Sequence, residues 1–136
     1  MDAQFDDLIR SALQVRLQAY APYSKFAVGA AVQCKSGALF AGSNIENISY
    51  ELTICAERIA IGRAIAAGER EFVAIALVAD TIEPIMPCGA CRQILAEFSP
   101  DLIIVSATVG GSRRIENLSD LLPDPKRGIL KNVHTP

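Results

Sequence analysis

The sequence has no tryptophan and a single histidine, His134, third from the end of the 136 residues given. A Ser-His-Asp triad, a Cys-His nucleophile or a histidine-rich metal site would have to draw on that one tail position, so these chemistries are excluded as readings. No aromatic residue follows Phe98. With so few aromatics the core must be built mainly from aliphatic side chains, and half of the residues are hydrophobic. Lys and Arg are scattered and the formal net charge is −2, which lacks the basic stripe of a nucleic-acid binder. No segment approaches the roughly 20 apolar residues that span a bilayer. The start of the chain, Met1 to Asp7, is acidic and has no leader-peptide pattern. These absences lead us to expect a cytoplasmic protein with no nucleic-acid or membrane partner, folded as one domain over residues 1–136.

Cysteine is also sparse. There are four, and in a reducing compartment a C-x-x-C spacing points to metal or redox chemistry rather than to disulfides. Cys34 lies in an apolar run and reads as a small core residue.

Apolar positions at Phe5, Leu8, Ile9, Ala12, Leu13 and Leu17 recur at helical spacing and predict an amphipathic helix ended near Ala21-Pro22. Phe26 to Cys34 and Leu39 to Ser43 flank Lys35-Ser36-Gly37 and predict a hairpin. Asn44 to Thr53 is polar and irregular, a loop suited to a site. Cys55 to Ala67 predicts a buried helix stopped by Gly68. Glu71 to Asp80 is too apolar for a one-sided strand and predicts one buried on both faces. A second buried helix follows from Cys88 to Phe98, then a strand at Leu102 to Val105. A Gly110-Gly111 turn leads into a short antiparallel strand near Arg114-Ile115, and a last short element begins at Ser119. Alternating strands and helices of this kind imply an α/β fold. The expected form is a three-layer α/β/α arrangement around a mixed five-stranded sheet.

The densest chemistry lies in Thr53-Ile54-Cys55-Ala56-Glu57-Arg58 and Pro87-Cys88-Gly89-Ala90-Cys91. Cys88 and Cys91, three apart at a helix start, share one face. Cys55 opens another helix. Both helix starts favour thiolate over thiol. Together the three residues make a candidate Zn2+ site with an open fourth position, the mark of a catalytic rather than a structural zinc. The alternatives are three buried cysteines, a closed structural zinc for which Cys34 is a poor fourth ligand, or a redox pair that leaves Cys55 and Glu57 unexplained. Glu57 either complements the helix dipole or handles protons beside a zinc-activated water. Arg58 either is an ordinary surface side chain or offsets the charge of three thiolates on the metal.

Further segments extend the pattern: Tyr20-Ala21-Pro22-Tyr23-Ser24-Lys25-Phe26, Asn44-Ile45-Glu46-Asn47, Pro87-Cys88-Gly89-Ala90-Cys91-Arg92-Gln93 and Leu121-Leu122-Pro123. With these, the chain resembles the small zinc-dependent cytidine deaminases of pyrimidine salvage, and the match runs across almost its whole length. The zinc signature alone places it only in the wider deaminase superfamily. The Asn-Ile-Glu-Asn and Tyr-Ser-Lys-Phe segments point to the nucleoside branch.

The resemblance implies that Cys55, Cys88 and Cys91 hold Zn2+, and that Glu57 shuttles protons while an activated water attacks C4 of the base and ammonia leaves. It implies a substrate side formed by Phe26, Asn44, Glu46 and Ala56, with Asn44 and Glu46 on the ribose hydroxyls. Arg58 would compensate the thiolates, and the carbonyl of Met86 would steer the departing amino group. The partners it implies are a small-molecule nucleoside and water, in a homotetramer.

Two departures stand out. Ile59 replaces a common Thr. No aromatic follows Leu122-Pro123, where relatives carry a Phe that stacks on the base. The second departure motivates an alternative, a deaminase of a modified cytosine nucleoside or an aminonucleoside antibiotic. A third alternative is an inactive, zinc-stabilised nucleoside-binding protein.

Overall fold

The apolar run after Glu71 forms the centre of the sheet. In a computed structural model that describes residues 3–125, strand β3 (Phe72–Ala79) is buried along its length except at Val73. Around it lie β1 (Val28–Cys34), β2 (Leu39–Ser43), β4 (Ile103–Thr108) and β5 (Arg113–Asn117), in the order β2-β1-β3-β4-β5. β1 is antiparallel to both β2 and β3, β3 runs parallel to β4, and β5 returns antiparallel. The mixed five-stranded sheet is therefore as expected from the sequence. His134 lies outside the described residues.

Side chains alternate across β3 with the period of two that a pleated strand imposes. Ala74, Ala76 and Val78 pack on one face with Phe5, Leu8 and Ala12 of helix α1 (Asp6–Val15) and the turn before it. Ile75, Leu77 and Ala79 face the other layer. There they meet Ala60, Ile61 and Ala64 of α2 (Ala56–Ala66) and Leu95 and Ala96 of α3 (Gly89–Phe98). The result is three layers. Cys34, fully buried in the second cluster, is the small core residue its context suggested.

The first helix is shorter than its apolar stripe. Regular helix stops at Val15 and tightens into one 3-10 turn, Arg16–Gln18, well before Pro22. Leu17 is 77% exposed and Leu13 is 39% exposed. The apolar stripe therefore continues beyond the part of the helix that the sheet covers. Helix α2 ends as expected. Gly68 takes φ +96°, its N–H bonds to Ile65 O and that of Glu69 bonds to Ala64 O. These two bonds together are a Schellman cap, which a residue with a Cβ would strain. A four-residue helix, α4 (Leu118–Leu121), follows β5. Among the described residues no helix is long and apolar enough to cross a membrane.

Candidate active site

The starts of helices α2 and α3 meet, and each helix is preceded by a cysteine. Cys55 is the residue before α2 and Cys88 the residue before α3, both with extended backbone (φ −69°, ψ 152° and φ −66°, ψ 167°). The sequence placed these two residues inside the first turn. They instead stand just outside it, and only Cys91, the third residue of α3, is helical. Their sulfur atoms all lie within 4.8 Å of one another. Tetrahedral zinc with Zn–S bonds near 2.3 Å holds sulfurs roughly 3.8 Å apart, so the cluster fits the ion with a small contraction. Cys91 is buried, Cys55 half-buried and Cys88 exposed, and all are free thiols. Cys34 is not part of the group.

The thiols share protons unequally. Cys55 is lowered to about 6, first by the hydrogen bond it receives from Cys91. Burial opposes this, and a bond from Cys88 and the Arg58 charge assist it. Cys91 is pushed up because it donates to Cys55, and further by burial and the nearby Glu57 charge. Arg58 thus acts on the cluster through its charge, from the first turn of α2.

Glu57 is the second residue of α2 and is only 6% exposed. Burial raises its carboxyl to about 7. Its own backbone N–H pulls the value down, the Cys55 charge raises it and a hydrogen bond from Cys91 lowers it. A carboxyl held near neutrality inside a cavity is a common device for general acid–base work.

Cys55, Glu57 and Cys88 line a cavity of about 300 Å³, the size of a small-molecule pocket. Phe26, Asn44, Glu46 and Ala56 also line it. Asn44 and Glu46 are both buried, while Ile45 between them is 45% exposed, as an extended segment with two sides requires. Asn44 Nδ2 donates to Phe26 O at 2.9 Å, and its Oδ1 accepts from Val28 N at 2.9 Å. Glu46 Oε1 accepts from Tyr23 N at 3.0 Å and Ser24 N at 3.1 Å. Its Oε2 accepts from the Ser24 hydroxyl and, at 3.4 Å, from Tyr50. Burial pushes the Glu46 carboxyl up, but the four bonds to its charged form outweigh that, led by those from Ser24, and hold it below its ordinary value.

Phe26 stands on the substrate side that the resemblance implies, although a large apolar side chain is more often found in a core. It is 40% exposed and lines the cavity. Ala56, the first residue of α2, is fully buried. Met86 and Ile85 form an apolar wall. Ile59 is not among the residues that line the cavity and packs on Gly42 of β2. A Cβ at Gly42 would lie 2.6 Å from Ala60 N and 2.7 Å from Ile59 Cγ2, so the glycine lets α2 approach the sheet.

Tyr50, Thr53, Val28 and Ile85 line the cavity without having been singled out from the sequence. Thr53 had a usable signal. It lies two residues before Cys55 in an extended stretch, so the two side chains share a side. Tyr50 and Ile85 carry no such local mark.

Residues 3–107 match the family model for the cytidine and deoxycytidylate deaminase zinc-binding region. Over 124 residues the chain is 50% identical to the cytidine deaminase of Halalkalibacterium halodurans, covering 90% of this chain and 92% of that protein. The crystal structure of cytidine deaminase from Burkholderia pseudomallei superposes with a TM-score of 0.85 at 49% identity, over 91% of this chain and 98% of that one. The crystal structure of the Mycobacterium tuberculosis cytidine deaminase gives a TM-score of 0.76 at 38% identity, over 90% and 97% of the respective chains.

Proposed function

Because the chain belongs to the cytidine and deoxycytidylate deaminase zinc-binding family, we infer that it is a zinc-dependent hydrolase. In this reading it deaminates cytidine and deoxycytidine to uridine and deoxyuridine with release of ammonia, as a step of pyrimidine salvage. The observation that carries the reading is a cluster of three thiols, two of which, Cys55 and Cys88, line the same cavity as the buried carboxyl of Glu57.

Zinc, when held by Cys55, Cys88 and Cys91, supplies the Lewis acidity that makes a water nucleophilic near neutral pH. Glu57 is placed to take a proton from the attacking water and to deliver protons to the base. The C4–N bond then breaks, with oxygen gained at C4 and nitrogen leaving as ammonia. Its burial suits the role, since a carboxyl near pH 7 both accepts and returns a proton. Arg58 lowers the charge burden of the thiolates. Ala56 lets the base approach the start of α2, and the Met86 carbonyl steers the departing amino group. Phe26 packs against the nucleoside.

Asn44 and Glu46 hold the sugar hydroxyls. Glu46 already accepts four hydrogen bonds, about the capacity of a carboxylate. The longest, 3.4 Å from Tyr50, is the one a sugar hydroxyl would replace.

The assembly is read as a homotetramer working in the cytoplasm. Tyr20 and Ile45 are bridged through their backbones and exposed, and Ile48 and Leu52 are exposed nearby in sequence. They supply apolar surface suited to contacts between copies. Light scattering on the purified protein tests the stoichiometry.

The activity is tested by ultraviolet loss of cytidine with ammonia release, on protein of measured zinc content and across a panel of N4- and C5-substituted nucleosides. Turnover of cytidine and deoxycytidine is expected. Zinc-loaded protein that binds nucleoside without turnover would make it a binding protein. A modified nucleoside faster by orders of magnitude would move the substrate.

A further inference from the structure

The exposed zinc ligand raises a question of support. Cys91 is gripped by the core and Cys55 is half-buried, but Cys88 is exposed and precedes its helix, where packing cannot fix it. Its position depends on the peptide that joins it to Pro87. Pro87 is fully buried, and its carbonyl, lying before the helix, has no intrahelical donor. Arg92, four residues beyond Cys88, supplies one: Nε donates to Pro87 O at 2.7 Å. The same guanidinium donates from Nη1 to Leu121 O at 3.1 Å. Leu121 is the last residue of α4, where carbonyls also lack helical partners.

We propose that Arg92 is a positioning residue of the metal centre, holding the Pro87–Cys88 peptide by pinning the Pro87 carbonyl to the end of α4. The guanidinium is a rigid planar fork, so its two acceptors stand in a fixed relation to one another. One acceptor presents Cys88 and the other belongs to an element packed on the same core, since Leu118 and Leu121 of α4 join the α2–α3 side of the sheet. Arg92 thereby gives Cys88 the rigidity that burial gives Cys91. Its neighbour Gln93 also reaches the segment after α4, from Nε2 to Pro125 O at 2.9 Å, but among the described residues its side chain makes no hydrogen bond to the peptide before Cys88. It is the natural control.

The proposal rests on the zinc reading above. The test is the rate at which the zinc-loaded full chain gives up its metal to excess chromophoric chelator, for wild type, Arg92→Met, Arg92→Lys and Gln93→Met. Groups that orient metal ligands typically change metal affinity by about 10–100-fold. Both Arg92 variants are expected to release zinc about tenfold faster or more, because Lys keeps the charge but cannot span both carbonyls. Gln93→Met is expected to match wild type. Should Arg92→Met not accumulate folded, Arg92→Lys carries the comparison. Wild-type release rates in the Arg92 variants would overturn the proposal, as would equal acceleration in Gln93→Met, which would place the effect in the segment after α4. Wild-type protein that purifies without stoichiometric zinc would instead count against the zinc site itself.

Discussion

Ser24 and Glu46 meet twice: the Ser24 N–H donates to Glu46 Oε1 at 3.1 Å, and the Ser24 hydroxyl donates to Oε2. With Tyr23 N–H on the same Oε1, the carboxylate ties the loop before β1 to the loop after β2. Asn44 repeats the tie two residues earlier by clasping Phe26 and Val28. The walls of the cavity are therefore bound to each other by the side chains that would also face a sugar.

That tie depends on the charge of Glu46. Its folded-state carboxyl lies below the ordinary value of 4.5 because hydrogen bonds to the ionised form outweigh burial. A depressed acid contributes stability above its unfolded pKa and loses it as pH falls through the folded value. Urea midpoints of wild type and Glu46→Gln should therefore differ most near pH 7 and converge as pH drops below about 4. A difference that stays constant from pH 7 to pH 3 would remove the charge from the explanation.

Asn44→Ala should weaken the fold as well as substrate binding. The change strips partners from two backbone groups, Val28 N–H and Phe26 C=O. Unmet buried polar groups cost about 1–3 kcal/mol each, and the Phe26 carbonyl is only partly buried, so a loss of about 2–4 kcal/mol is expected in urea unfolding, together with a raised KM. Stability within about 0.5 kcal/mol of wild type would show that water replaces both bonds at no cost.

Some of this was readable in the linear order of residues. Cys55 with Glu57, and Cys88 with Cys91, are close in sequence, so their local geometry follows from helix starts alone. Asn44 and Glu46 follow from alternation in an extended segment. The convergence of the two helix starts is inferred from their shared chemistry, and the strand order supplies its physical cause. Leu13 and Leu17 show what periodicity omits, since it gives the direction of a face and not the extent of the surface that covers it. Composition alone does not place Phe26, because a large apolar side chain can line a cavity as readily as a core; only the resemblance puts it at the site. The reach of Arg92 to Leu121 spans 29 residues and leaves no local trace.

Glu57→Gln separates proton transfer from metal binding. Glutamine keeps the shape and loses the exchangeable carboxyl. Glu57 is not among the three clustered sulfur donors, so zinc content should be unchanged. Removal of a general acid–base typically lowers rate by about 10²–10⁴-fold, and kcat should fall in that range while KM moves little. A variant with wild-type kcat would transfer the proton role to another group.

Thr53 gives a prediction of the opposite sign. Its Oγ1 is buried with no hydrogen-bond partner among the described residues, although the residue lines the cavity two positions before Cys55. A buried hydroxyl without a partner costs about 1–3 kcal/mol, while an apolar group of the same shape carries no such penalty. Thr53→Val should therefore raise the urea stability of the nucleoside-free protein, by about 1 kcal/mol or more. Thr53→Ser keeps the hydroxyl and loses a methyl group, so it should show no gain. The pair isolates the hydroxyl from the volume of the side chain. Equal stability of the Val and Ser variants would mean that the hydroxyl is already satisfied in solution. A Val variant that is more stable but binds cytidine more weakly would mark the hydroxyl as kept for the ligand, at the expense of the empty fold.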